Sequence, residues 1–449
     1  MTVEVESRSG AGAGTGTEVG AEVAEVIDLS HDACGIAQLG ERRIFVPGAL
    51  PGERIRVRPR KHRRQYRLGD LVEILEPSAS RVEPPCEYFN RCGGCAVQHL
   101  DYPAQVSFKE SMVREALGRI GGVEPETWLE PITGPQWNYR RRARLGVRYV
   151  KGKQRVLVGF KERATRYVTD MGSCMVLVKP FDQLPGPLGE MIGQTSLWRR
   201  LPQVEVSAGE TARAVVFRVL DEPDEADLAS FAEFGQRWDL DVYLQRGGPG
   251  TVRPLDPDNT RQLSYRLKEF DVELQFNPTD FLQINARVNE RLVAQVLRLL
   301  EPRPADRVLD LYCGLGNFSL PLARSAGFVL GVEGDGGLIA RAAANARLNG
   351  LENASFAACD LNEPGWGFLR EAWDAVVLDP PRSGADTVVK QMAEMAPRRI
   401  AYVSCHPATM ARDARTLCET QGYRLLAAGV ADMFPHTHHV EAVALFERR

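Results

Sequence analysis

The sequence predicts a multidomain α/β protein: a small antiparallel β-barrel, a central α+β segment and a C-terminal Rossmann-like, doubly wound domain. Three observations predict it. Residues 53–75 alternate apolar and charged side chains with the period of half-buried strands. Three cysteines fall close together between Cys86 and Cys95. From about residue 276 onward, strand and helix patterns alternate, as they do in a parallel sheet covered by helices. A chain of 449 residues is also too long for one core.

The first 25 residues, with "SGAGAGTGTEVGAEVAE", are small and acidic and lack the basic and apolar regions of a signal peptide. They read as a disordered tail. No apolar run approaches the about 20 residues that span a bilayer. Nine cysteines, an odd number scattered over long distances, fit a reduced cytoplasm better than a disulfide framework. The net charge of −3 conceals strong local asymmetry.

Residues 26–77 form the expected barrel. In "ERIRVRPRKHRRQYRLGDLVEIL", Ile55 and Val57 alternate with Arg54, Arg56 and Arg58, and eight Lys/Arg lie between Arg54 and Arg67. With little local negative charge to offset them, they suit phosphate binding. "GIAQLGERRIFVPGALPGE" adds two strands with Gly/Pro turns. The segment resembles the TRAM domain, an OB-like RNA-binding barrel. A second basic run, "YRRRARLGVRYVKGK", follows at residues 139–153.

The central domain is expected over residues 78–275. Cys86, Cys92 and Cys95 are spaced C-x5-C-x2-C around two glycines, and Cys174 is the next cysteine along the chain. Grouped thiolates bind metal. On spacing alone, structural zinc and an iron–sulfur cluster both remain open, with three grouped cysteines and one remote favouring the cluster.

In residues 276–449, "DRVLDLYCGLGNFSLPLA" is a strand over Val308–Leu311, then a Gly-rich turn and a helix; "GFVLGVEGD" is a strand ending at Glu333. A carboxylate there takes a ribose diol. Ser319 occupies the place of the third glycine of the dinucleotide fingerprint. Asp310 before the loop disfavours a pyrophosphate and suits a cationic sulfonium, which points to S-adenosylmethionine. "WDAVVLDPPRSGA" ends another strand at Asp379, where two prolines stiffen the loop. "RIAYVSCHPATMARD" delivers Cys405 to a strand tip, since Pro407 forbids further ladder bonding. Glu441 opens the last strand after a histidine-rich loop containing His436, His438 and His439, which lacks the further ligands of a metal site. A thiol and a carboxyl on the cofactor edge suit covalent catalysis, in which the thiolate adds to C6 of uracil and activates C5.

"NPTDFLQIN", "VLDLYCGLGNF", "VEGD", "ARLNGL", "LDPPRSG", "VSCHPATMARD" and "DMFPHTHHVE" are similar, in order and spacing, to the RNA uracil-C5 methyltransferase family, over residues 26–449. The resemblance implies that Cys405 is the nucleophile and Glu441 the base. It implies that Gln283, Tyr312, Asn317, Glu333, Asp360 and Asp379 contact S-adenosylmethionine and the target base. It also implies a 4Fe–4S cluster on Cys86, Cys92, Cys95 and Cys174. The sequence departs from the family at His406, where Asn is common. A barrel with a cluster resembles the branch that acts on 23S rRNA, through a single-stranded or loop uridine. A tRNA substrate is the alternative, and a non-catalytic RNA-binding assembly factor is a third reading.

Overall fold

The computed structural model describes residues 20–60 and 67–449; the expected tail up to Val19, and Lys61, Arg63 and Arg64 of the basic run, lie outside them. The chain divides into two compact units, Met1–Arg81 and Val82–Arg449.

In the first unit five antiparallel strands, Glu22–Leu29, Cys34–Leu39, Arg42–Pro47, Arg54–Pro59 and Gly69–Glu76, stand in the order third, second, first, fourth, fifth. The alternation works as expected: Ile55 and Val57 point inward against Val26, Ala37, Ile44 and Val46. A bridge from Phe45 to Leu68 curls the sheet. The first strand begins within the stretch expected as tail. The charge expectation also needs correction. Arg54, Arg56 and Arg60 reach Glu76, Glu73 and Asp70 on the neighbouring strand, so the basic row is offset locally. Exposed pairs of this kind contribute about 0–1 kcal/mol each, little enough to be exchanged for a phosphate contact.

The second unit holds two larger sheets. One has six strands, Arg142–Val150, Arg155–Gly159, Gln203–Ala208, Arg213–Arg218, Asp241–Gln245 and Val252–Pro254, over a core that includes Leu145, Phe181, Phe217 and Phe231. The other is an eight-stranded sheet. Its order is Ala354–Ala358, Phe328–Glu333, Arg307–Leu311, Ala375–Leu378, Arg399–Ser404, Glu441–Arg448, Tyr423–Ala431 and the short Thr127–Trp128. The first five strands are parallel and Glu441–Arg448 runs against them. Inner strands such as Ala375–Leu378 are buried at every residue, the pattern of a sheet covered on both faces.

The expected boundary at residue 275 does not separate these parts. Thr127–Trp128 pairs with Tyr423–Ala431, and Ile132 bridges Ala431. Val113, Ala116 and Leu117 share one core with Met410, Leu425 and Phe446. Residues 102–132 are thus part of the doubly wound half, through contacts with strands about 300 residues later.

The helix Tyr102–Glu115 makes that attachment. Asp101 caps it by accepting from the Ala104 amide, and Pro103 occupies its first turn. Gln105, Lys109 and Val113, four residues apart, form its inward face. Lys109 is therefore buried. Its Nζ donates to Asp432 at 2.5 Å and to the Phe434 carbonyl at 2.9 Å, and both charged side chains are 1% exposed. Removing one member strands the other charge in the interior. Lys109→Met is expected to destabilise the second unit by about 3–5 kcal/mol, whereas Lys109→Met with Asp432→Leu restores most of it. Urea unfolding of the three proteins checks this, and equal stability of the single and double variants would contradict it.

Candidate active site and cysteine cluster

The strand order reverses between Arg307–Leu311 and Ala375–Leu378, the point at which open α/β sheets bind ligands. Tyr312 and Asp379 follow those two strands directly. The turn after Leu311 is held by the Tyr312 and Cys313 amides, which both donate to the Val332 carbonyl. It needs a left-handed backbone at Gly314 (φ 53°) and Gly316 (φ 91°), and Tyr312 shares that conformation at φ 67°. Glu333, ending the neighbouring strand, accepts from the Gly314 amide at 3.3 Å and the Gly334 amide at 2.7 Å. Asp360 accepts from the Asn362 amide at 2.8 Å, fixing the next loop along the same edge.

Asn317 is used within the protein. Its amide exchanges two 2.9 Å bonds with Asn289, and its oxygen also accepts from the Tyr265 hydroxyl, so it sets the shape of the loop. Asp310 is likewise internal: fully buried, it accepts from the Ser319 hydroxyl beneath the turn. Asp310 is thus enclosed beneath the turn and does not face outward as the sequence suggested, whereas Glu333, Asp360 and Asp379 lie on the strand-end edge. Burial, and then the charge of Glu333, push Asp379 up to about 7, opposed by a 3.5 Å bond from the Gln283 amide.

Cys405 follows the strand Arg399–Ser404. His406 takes the N-cap of the helix Pro407–Glu419, its ring nitrogen accepting from the Thr409 amide, and Pro407 sits in the first turn. The departure at residue 406 therefore keeps a capping role. Across the sheet Ser404 lies opposite Ala442 in the antiparallel register, which brings Glu441 to the level of Cys405. Glu441 is 2% exposed. Burial, and then the charge of Asp379, raise its carboxyl well above the ordinary range, so it takes up a proton readily. Burial, and then Glu441 and Asp379, push the Cys405 thiol up to about 11.

One cation opposes that rise. Arg382, three residues after Asp379, sets its positive charge near the Cys405 thiol and favours the ionised form. Its guanidinium also lies 3.2 Å from Nδ1 of His439. Burial holds His439 down to about 4, so the ring is neutral near pH 7 and accepts this bond. Sequence reading passed over Arg382, although it stands within the quoted "LDPPRSG". It also passed over Arg141. That residue looked like part of a solvated basic run, yet it is buried, donates to the Gln283 carbonyl at 3.0 Å and lies over the Tyr265 ring.

In the same unit Cys86, Cys92, Cys95 and Cys174 line one cavity with Tyr88, Phe89, Phe160 and Met171. Gly93 brings the loop against Lys161 by an amide–carbonyl bond of 2.8 Å, and a Cβ at Gly93 would stand 2.9 Å from that carbonyl. Arg163 donates to the carbonyls of Cys92 and Cys95. Burial and the neighbouring cysteines push Cys95 up to about 11 and Cys174 up to about 12. Among the described residues no three His, Cys, Asp or Glu side chains converge to hold a single metal ion, the histidine-rich loop included. The cavity that the four cysteines help to line is small and mostly apolar. As a donor set of sulfur alone in an apolar wall, the cysteines suit a thiolate-ligated metal group.

Comparison with known proteins places this geometry. The model of the tRNA (uracil-5-)-methyltransferase family matches residues 102–363 and 368–449. The 23S rRNA (uracil(1939)-C(5))-methyltransferase RlmD of Thiobacillus denitrificans is 48% identical over 429 residues, 95% of this chain and 99% of the relative. Its counterpart in Nitrosococcus oceani is 48% identical over 430 residues, 95% and 96% of the two chains. Among solved structures, the Pyrococcus abyssi tRNA (uracil-54, C5)-methyltransferase in complex with S-adenosyl-L-homocysteine aligns over 96% of this chain and 100% of its own. The TM-score is 0.73 at 26% identity. Because the family match runs through both the turn that holds Tyr312 and the strand that leads to Cys405, the chain belongs to the tRNA (uracil-5-)-methyltransferase family.

Proposed function

We propose that the protein methylates C5 of a uracil in 23S rRNA, at the position equivalent to 1939, using S-adenosylmethionine. The observation that carries the reading is the register that sets Glu441 beside Cys405 on the cofactor edge. The choice of RNA rests on the near full-length relatives named for that rRNA position.

C5 of uracil is a weak nucleophile. The Cys405 thiolate, favoured by Arg382, adds to C6, and the electron pair of the C5–C6 bond becomes enolate-like at C5. Bound S-adenosylmethionine supplies an electrophilic methyl group. Gln283, Tyr312, Glu333, Asp360 and Asp379 are the residues proposed to hold it, with Asn317 shaping the loop. Acidic walls suit a sulfonium and disfavour a dinucleotide pyrophosphate. After C5 takes the methyl, Glu441 accepts the C5 proton, the C5–C6 double bond re-forms and the thiolate leaves. A raised carboxyl suits that step, because the proton it accepts is held in a buried site. A non-catalytic assembly factor has no use for these placements.

The first unit is proposed to act as a TRAM-type RNA-binding barrel. Its paired arginines exchange carboxylate for phosphate, while the target base leaves its stack to reach Cys405, at a cost of a few kcal/mol. Cys86, Cys92, Cys95 and Cys174 are proposed to hold a 4Fe–4S cluster that cross-links the cysteine loop to the Cys174 segment. A single zinc would need four sulfurs at about 2.3 Å from one point, a convergence absent among the described residues, and three grouped cysteines with one remote favour the cluster.

Two experiments test the proposal. Unmodified 23S rRNA fragments should accept labelled methyl, tRNA should not, and Cys405→Ala should lose activity on the order of 10⁴-fold or more. Methylation of tRNA with inert 23S fragments would transfer the assignment to the tRNA reading. Protein purified without oxygen should carry about four iron and four sulfide per chain. Stoichiometric zinc without sulfide would replace the cluster with a zinc site.

A further inference from the structure

Glu441 opens its strand directly after a connection, residues 432–440, that joins it to Tyr423–Ala431. The first half of that connection is gripped by residues some 300 positions earlier. The Ala96 and Val97 amides, which follow Cys95 directly, both donate to the His436 carbonyl, at 2.8 and 3.1 Å. The side chain of Gln105 accepts from the His436 amide at 3.0 Å and lies 3.3 Å from its Nδ1. Trp137 stacks on the His436 ring at 3.9 Å, and the Tyr139 hydroxyl donates to the Pro435 carbonyl at 3.0 Å. Lys109 completes the grip through Asp432 and Phe434. His436 itself is held at φ 66°, a conformation that a non-glycine residue keeps only when its surroundings enforce it.

Each of these groups fixes backbone leading to Glu441. We infer that the cysteine loop and the helix behind it are positioning elements for Glu441, holding residues 432–436 so that its carboxylate meets the C5 proton. Whatever the cysteines hold then acts on the reaction mechanically, by keeping residues 95–97 in place as donors to His436. The step at risk is proton removal. Cofactor binding uses other loops, and thiolate addition meets this connection only at His439, beyond the gripped residues 432–436. The inference rests on the proposed reading of Glu441 as the base.

Gln105→Leu tests it, because it removes both contacts to His436 without leaving a buried charge. Four quantities are measured with full-length protein: S-adenosylhomocysteine affinity, the rate of adduct formation with 5-fluorouracil RNA, turnover on 23S fragments, and covalent complex with those fragments on denaturing gels. The first two should stay within about twofold of the parent. Turnover should fall on the order of 10²-fold, as for a group misplaced by about 1 Å, and methylated covalent complex should accumulate as it does in Glu441→Gln. Lys109→Met with Asp432→Leu, which also frees Phe434, should behave alike and serves if Gln105→Leu is insoluble. Turnover at the parent rate without accumulated complex would overturn the inference. So would a proportional loss of affinity, adduct rate and turnover, which marks a merely structural role. If Glu441→Gln itself accumulates no complex, the base assignment fails and the inference with it; failure of Gln105→Leu alone leaves that assignment standing.

Discussion

The antiparallel pairing of Glu441–Arg448 with Arg399–Ser404 is the constraint on which the site depends. A parallel strand in that place would begin at the far edge of the sheet. Running the other way, it begins where its neighbour ends, and the Ser404–Ala442 register brings a carboxyl to the level of a thiol. A slip by one residue would turn every side chain of the strand to the opposite face. Burial on both faces penalises such a slip, because Ala442, Val443, Ala444 and Phe446 are all almost wholly inaccessible. On its other side the strand is fixed by Tyr423–Ala431, where Ala431 lies opposite Glu441.

This placement concentrates negative charge. Glu333, Asp379 and Glu441 share one edge, and burial together with mutual repulsion raises the last two. The arrangement costs stability as pH rises, since the folded state retains protons that the unfolded chain releases in the range between an ordinary carboxyl value and about 7 for Asp379. A cationic ligand offsets that cost and Arg382 opposes it at the thiol. On the proposed reading, the acidity serves ligand choice and proton transfer together, at the expense of the fold without ligand.

Much of this was legible in the sequence because the chemistry sits where strands stop. Pro407 marks the end at Cys405, the two prolines after Asp379 mark another, and glycines mark the turn after Leu311. Each signal is local. What stayed hidden was long-range. Nothing near Lys109 announces Asp432, and Arg141 reads as one more arginine in a basic run until the Gln283 carbonyl arrives from 142 positions away. The central boundary was misplaced for the same reason, since Thr127–Trp128 joins a sheet built from the last third of the chain. The neutralised arginine row had a readable cue that went unused: Asp70, Glu73 and Glu76 lie along the adjoining strand, close to the arginines they offset.

Pairing of thiol and carboxyl on one base is tested most directly by following the C5 hydrogen. With a 23S fragment carrying tritium at C5 of the target uracil, the wild-type protein should release tritium in step with methyl transfer. Glu441→Gln should transfer methyl into a covalent complex of up to one RNA per chain yet retain the tritium, and Cys405→Ala should do neither. Tritium released by Glu441→Gln at the wild-type rate would show that another group takes the proton, and would contradict the account.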